Sequence, residues 1–473
     1  MNRRLFVKQT TLTATGLILS KFAIAGKEKG EFAIVRVPED RRKFKSHAVE
    51  SLIAEIKTKI GNKEIAWMFE NCFPNTLDTT VDFTVMDNKP DTYVITGDID
   101  AMWLRDSSAQ VYPYLPLCNE DKGLHQLIKG VIYRQTKCIL KDPYANAFYK
   151  DETKTSEWKS DDTKMQPGIH ERKWEIDSLC YPIRLAYKFW KETADIAPFD
   201  NEWLIAMKLI VRTFNEQQRM HDKGQYSFMR ETKYATDTVP LGGYGYPVYP
   251  NGLICSMFRP SDDATIFPYL IPSNLFAKHS LAQLAEMVSA IHADKDFVLA
   301  IENMRKQIAK GLETSAIVSI EKYGKIYAFE VNGNGSCNLM DDANIPSLLS
   351  LGYLIPEMKD DEVYKTTCKF VLSKDNPFFF KGAAAEGVGG PHAGMNQIWH
   401  LGIIIRGMVS TDKNEIKKCL KMLQNTHAGT GFMHESFNKD DASKFTRPWF
   451  AWANTLFGEF IWKTYREKPE LLK

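Results

Sequence analysis

Six times along the chain, an acidic or amide residue beside small residues opens an apolar run with helical spacing. The runs begin at Asp106 (RDSSAQVYPYL), Asp177 (EIDSLCYPIRLAYKFW), Asp262 and Asp263 (PSDDATIFPYLIPSNLF), Asp341 and Asp342 (MDDANIPSLLSLGYL), Asn396 (GMNQIWHLGIIIRGM) and Asn454 (FAWANTLFGEFIWKTY). Successive starts lie roughly 55 to 85 residues apart, room for one helix, a loop, a return helix and a second loop. Return helices are predicted over 124–140, 203–218, 282–312 and 415–423. Six such hairpins can close into an (α/α)6 toroid whose inner helices present one end to a common pit, so a mainly α fold is expected. Because the units share a pattern rather than a consensus, an irregular helical array is the alternative. Upstream, residues 46–70 read as a helix broken at Gly61 and Asn62 and followed by a second segment. Val81, Phe83 and Val85 then alternate as in a strand that turns at Asn88, Lys89 and Pro90. Short β segments are predicted over 226–229 and 325–331, at the rim.

The charge balance excludes several classes. With 61 basic against 59 acidic residues and a net charge of +2, nothing resembles a nucleic-acid footprint or a polybasic membrane patch. The first 25 residues read as an export signal. Arg3 and Arg4 stand before Leu5 and Phe6, a short weakly apolar region follows, and Ala23-Ile24-Ala25 precedes Gly26 as an A-x-A cleavage site. The mature chain, 26–473, is expected to be one catalytic domain, exported to the periplasm, with no membrane insertion after signal removal. Eight scattered cysteines form no CxxC pair, so a thiolate zinc site is not expected and most should be buried free thiols.

The stretch 94–116, VITGDIDAMWLRDSSAQVYPYLP, packs Asp98, Asp100, Arg105 and Asp106 around Trp103. Carboxylates that accept paired hydroxyls, a guanidinium fork and a flat indole face are the parts of a sugar subsite. The plainer reading is that Asp106 caps a helix and Arg105 pairs with Asp98 or Asp100 on a surface. Two further carboxyl stations stand out. FRPSDDAT holds adjacent Asp262 and Asp263, whose mutual repulsion is one way to keep a general acid protonated, and GFMHESF holds Glu435 between aromatic residues. Together they supply the carboxyl pair that glycoside hydrolysis needs. Capping by Asp262 and Asp263, and a solvated charge at Glu435, are the structural alternatives. The glycine- and tyrosine-rich loop 234–250 and the loop 382–394, which contains His392, could face a ligand. No HExxH, GxSxG, P-loop or GxGxxG motif is present, and no metal or cofactor is called for.

The segments TGDIDAMWLRDSSAQ, KWEIDSLCYP, FRPSDDATIFPYLIPSN, MDDANIPSLL, GPHAGMNQIWHLGI, GFMHESF and RPWFAWANTLFGE resemble glycoside hydrolase family 125, the metal-independent exo-α-1,6-mannosidases. The resemblance covers most of the chain after Val49. It implies an (α/α)6 toroid, removal of a non-reducing terminal α-1,6-linked mannose from a mannose-containing oligosaccharide, and inversion. The general acid would fall within the Asp262 and Asp263 pair, and Glu435 would be the base. Asp98, Asp100, Trp103, Arg105 and Asp106 would line the sugar pocket, with His392, Asn396 and Arg447 as further substrate-binding candidates. The rival readings are another toroid enzyme, a glucoamylase-like hydrolase or polysaccharide lyase, and a non-catalytic glycan-binding protein.

Overall fold

The computed structural model describes residues 32–86 and 89–473; the predicted export signal and Asn88 of the predicted turn lie outside them. Residues 32–36 carry no regular element, and Val37–Lys473 forms one compact unit. Among the described residues, six inner helices follow one another around a ring: Leu104–Val111, Ile176–Thr193, Ile271–Ile291, Leu351–Leu354, His400–Val409 and Ala451–Glu467. Each packs on the next and the last returns to the first, which closes the (α/α)6 toroid. Outer helices cover it, among them Lys63–Cys72, Lys122–Lys141, Asn201–Gln217, Lys295–Ser315, Glu362–Val371 and Lys413–Thr426.

The two layers differ in patterning for a physical reason. Lys295–Ser315 buries one stripe, Phe297, Ile301, Met304, Ile308 and Leu312, as an amphipathic surface helix does. Ala451–Glu467 buries every residue from Ala451 to Gly458, because it has neighbours on all sides. The layers also start differently. Outer helices open on side-chain caps: Asn62, Asp121, Asp200, Asp294, Asp361 and Asp412 each accept from a backbone N–H of the first turn. The inner helices open on Trp103, Glu175, Leu270, Ser350, Trp399 and Phe450 with no side-chain cap. Their N-terminal ends face polar loops, where first-turn N–H groups and the positive end of the helix dipole favour carboxylates.

Four local expectations change. The predicted helix 282–312 is two helices, Ile271–Ile291 and Lys295–Ser315; Ala293 takes a left-handed turn (φ 51°) and Asp294 caps the second. The run after Asp341 yields only Leu351–Leu354, because Pro346 and Pro356 interrupt it, and the Asp341 carboxylate accepts from the amides of Leu348 and Leu349 instead. Residues 226–229 form no strand; Met229 makes an isolated bridge with Asp162. The segment 325–331 divides into strands Gly324–Tyr327 and Glu330–Val331. Elsewhere the reading and the structure agree: helices His47–Lys59 and Lys63–Cys72 meet at Gly61 and Asn62, and strand Val81–Met86 pairs antiparallel with Lys89–Val94. The eight cysteines are free thiols, six of them buried.

Candidate active site

The polar residues gather at the N-terminal end of the inner ring. Short strands lead into several of these helices: Met102–Trp103, Tyr269–Leu270 and Gln397–Trp399 each abut the first residue of the helix that follows. The chain therefore arrives extended and turns helical at the pit, which fixes the first-turn side chains on a rigid support.

Arg105 is the hub. It is the second residue of Leu104–Val111 and only 3% exposed. Its Nη1 lies 2.6 Å from Glu175 Oε2 and 3.0 Å from Asp177 Oδ2; Nε stands 3.5 Å from Asp106 and Nη2 3.8 Å from Asp262 Oδ1. One cation faces four carboxyl groups, so the cluster favours retained protons. Burial raises Glu175 well above the usual carboxylate range and raises Asp177, with Arg105 opposing in each case. Burial also brings Asp106 up to about 6; Arg105 and Arg447 oppose this, and Asp262 and Asp177 add to it. Arg105 stays charged because its four carboxyl neighbours outweigh the burial that would neutralise it.

Asp106 is thus the third residue of its helix and not the cap, a position taken by Trp103. The surface pairing of Arg105 with Asp98 or Asp100 is replaced by buried pairing with Glu175 and Asp177.

Asp262 is held on both sides. Its backbone is left-handed (φ 65°), a conformation that costs of order 1 kcal/mol for a non-glycine residue and persists only under constraint. Lys173, 1% exposed, donates to the Asp262 carbonyl at 2.9 Å and to Asp237 Oδ1 at 2.8 Å. Asn146 donates to Asp262 Oδ1 at 3.2 Å while its own oxygen accepts from the Lys173 amide. Asp263 Oδ1 lies 3.3 Å from His392 Nδ1, and its Oδ2 is buried without a protein partner. Neither residue caps a helix.

The second station forms on strands Ser436–Asn438 and Asp441–Thr446. Glu435, 7% exposed, accepts from Thr446 Oγ1 at 2.9 Å through Oε2, and Arg447 Nη1 stands 3.5 Å from Oε1. Arg447 also donates to Asp98 Oδ1 at 2.6 and 2.8 Å. Asp98 reaches that position because Gly97 (φ 128°) bridges to Phe450, where a Cβ would run into the Trp449 carbonyl. A line of charge thus runs from Asp262 through Arg105 to Asp106 and from Arg447 to Glu435, the two parts joined by the field of Arg447 at the Asp106 carboxyl.

Three candidates stand apart from that line. Trp103 is 2% exposed and packs edge-on against His170 at 5.1 Å, so its ring offers no open stacking face. The Asp100 side chain, 77% exposed, lies 3.8 Å from Lys154 in a shallow surface hollow. Asn396 is an exposed left-handed turn residue (φ 64°) whose carbonyl accepts from the Lys439 amide. Conversely, Glu175, Asp177, Asn146 and Lys173 belong to the cluster although sequence reading did not select them as site residues. The signal for the first two was present: EID at the mouth of an inner helix puts one acid at the cap position and one in the first turn. Arg105 Nε, Asp177 Oδ1, Glu175 Oε1 and Asp263 Oδ2 are buried without hydrogen-bond partners, an arrangement that suits a ligand rich in hydroxyl groups.

Residues 62–462 match the family of metal-independent α-mannosidases, GH125. The chain belongs to that family. It is a glycoside hydrolase, an α-mannosidase of glycoside hydrolase family 125. It is 40% identical over 451 residues to the Meiotically up-regulated gene 157 protein of Schizosaccharomyces pombe, covering 91% of this chain and 88% of that one. It is also similar to a solved metal-independent α-mannosidase of Streptococcus pneumoniae, in a non-productive complex with α-1,6-mannobiose. The two share 39% identity and a TM-score of 0.86, over 90% of this chain and 100% of that one.

Proposed function

We propose that this GH125 enzyme is an exo-acting, inverting mannosidase that removes non-reducing terminal α-1,6-linked mannose from mannan or N-glycan oligosaccharides. The line of charge joining Asp262 to Glu435 carries the reading, since it ties two separate carboxyl groups into one pit. Asp262 acts as general acid and protonates the glycosidic oxygen; Asp263, beside His392, is its orienting neighbour. Glu435 acts as general base on a water at the opposite face of the ring. Thr446 holds one of its oxygens, and the other, 3.5 Å from Arg447, keeps a lone pair for that water. An inverting pair stands roughly 6.5–9.5 Å apart to admit the water. Asp98, Arg105, Asp106, His392 and Arg447 supply donors and acceptors for the sugar hydroxyls.

The α-1,6 preference is supported by the mannobiose bound to the S. pneumoniae relative. An export signal at residues 1–25 would place the mature enzyme in the periplasm. Linkage is tested by comparing mannose release from α-1,6-, α-1,3- and α-1,2-mannobiose. Cleavage of the α-1,6 dimer at least about tenfold faster is expected, whereas equal rates on all three would contradict the assignment.

A further inference from the structure

A cavity of about 730 Å³ opens along the flanks of Ile176–Thr193 and Ile271–Ile291 and beside Leu351–Leu354, between Tyr112, Arg184, His279, Gln283, Arg305 and Tyr353. Its lining shares no residue with the proposed catalytic cluster. Its volume lies within the range of small-molecule sites.

Arg184 sets its chemistry. The residue is 5% exposed, and its guanidinium lies 3.5 Å from the ring centre of Tyr112 and 5.0 Å from that of Tyr353. The rings hold the group flat, but among the described residues none of its five N–H donors makes a hydrogen bond. No Arg184 nitrogen is sealed from solvent without a partner, so its donors stand open to the cavity, where water or a ligand can meet them. The surrounding carboxylates hydrogen-bond elsewhere, Glu286 with Lys191 and the Tyr187 hydroxyl, Asp361 with the Tyr364 amide, and Glu459 with the Tyr353 hydroxyl at 2.8 Å; Glu357 lies 3.9 Å from His279, and the Glu459 charge still acts on Arg184.

Two further polar atoms at the cavity lack partners, the Nε donor of Arg305 and the Oε1 acceptor of Gln283. The lining is mixed in charge: Arg184, Lys278 and Arg305 face Glu286, Glu357 and Asp361, and Arg305 is paired with Glu302 at 2.6 Å. Burial lowers the His279 pKa; Glu357 opposes this, but Arg184, Arg305 and Lys278 all push it further down. A planar fork of donors open to the cavity matches an oxyanion, which guanidinium binds through two parallel hydrogen bonds. The free Gln283 oxygen suits a hydroxyl on the same ligand.

The geometry points to a second binding site, centred on Arg184, for a small hydroxyl-bearing oxyanion of the phosphate or hydroxycarboxylate type. The test is calorimetric titration of the full chain with inorganic phosphate and, separately, malate, at constant ionic strength. Saturable one-to-one binding of at least one is expected, weakened at least tenfold by Arg184→Met and several-fold by Lys278→Ala. The half-exposed Lys278 position keeps the test valid should Arg184→Met fail to fold. Tighter phosphate binding identifies a phosphoryl ligand, and tighter malate binding a carboxylate; either supports the site. Absence of saturable binding overturns it, as does binding that Arg447→Met abolishes and Lys278→Ala leaves unchanged, which would move the anion to the catalytic pit.

Discussion

Arg447 grips Asp98 and Glu435 at once, its Nη2 2.6 Å from Asp98 Oδ1 and its Nη1 3.5 Å from Glu435 Oε1. One guanidinium thereby sets the spacing between the proposed sugar acceptor Asp98 and the proposed base. Arg447→Met removes both contacts, and misplacing a catalytic group by an ångström costs on the order of 100-fold. A fall of about that size in kcat/KM on α-1,6-mannobiose is expected, with the circular dichroism spectrum unchanged. Steady-state kinetics within twofold of the parent would contradict this role.

Glu435→Gln keeps the shape of the side chain and its Thr446 contact but removes the base. Turnover should drop by about 10³-fold or more, while mannobiose still binds in a calorimetric titration. Near-normal hydrolysis would displace Glu435 from the mechanism.

Asp262 and Asp263 separate by leaving group. A missing general acid matters little when the aglycone departs unaided, so Asp262→Asn should lose most activity on mannobiose yet retain it on a dinitrophenyl mannoside. Asp263→Asn should impair both substrates alike. The reverse pattern would transfer the acid role to Asp263.

The Asp106 carboxyl carries a stability signature. Its pKa rises from 3.8 unfolded to about 6 folded, so the folded protein keeps a proton that the unfolded chain has lost. The stability from the protonated form is full below pH 3.8 and is lost as pH rises through about 6, to a total of about 3 kcal/mol. Asp106→Asn is free of this loss. Its melting temperature relative to the parent should therefore climb between pH 4 and pH 7 in thermal scans, and a pH-independent difference would count against the burial of that charge.

The ring was legible in the chain because each inner helix announces itself twice, by an apolar run and by a polar mouth. The partners inside the pit were not. Arg105 reads against Asp98 and Asp100 nearby in sequence, yet it turns to Glu175 and Asp177, 70 and 72 residues further on. Spacing along one strand cannot report that choice; the packing of the first inner helix on the second makes it. Trp103 misleads similarly, since an indole between charged residues looks like a stacking face until Ala101 and Ala147 enclose it. Lys173 opens the segment KWEIDSLCYP, but the sequence does not single it out as a site residue, and its role follows from the left-handed turn at Asp262.

The most direct test of the account is proton NMR of α-1,6-mannobiose during hydrolysis, following which anomer of mannose appears first. Attack by a Glu435-activated water opposite the departing sugar predicts β-mannose in the earliest spectra, before mutarotation. α-Mannose appearing first would show retention and contradict the paired roles of Asp262 and Glu435.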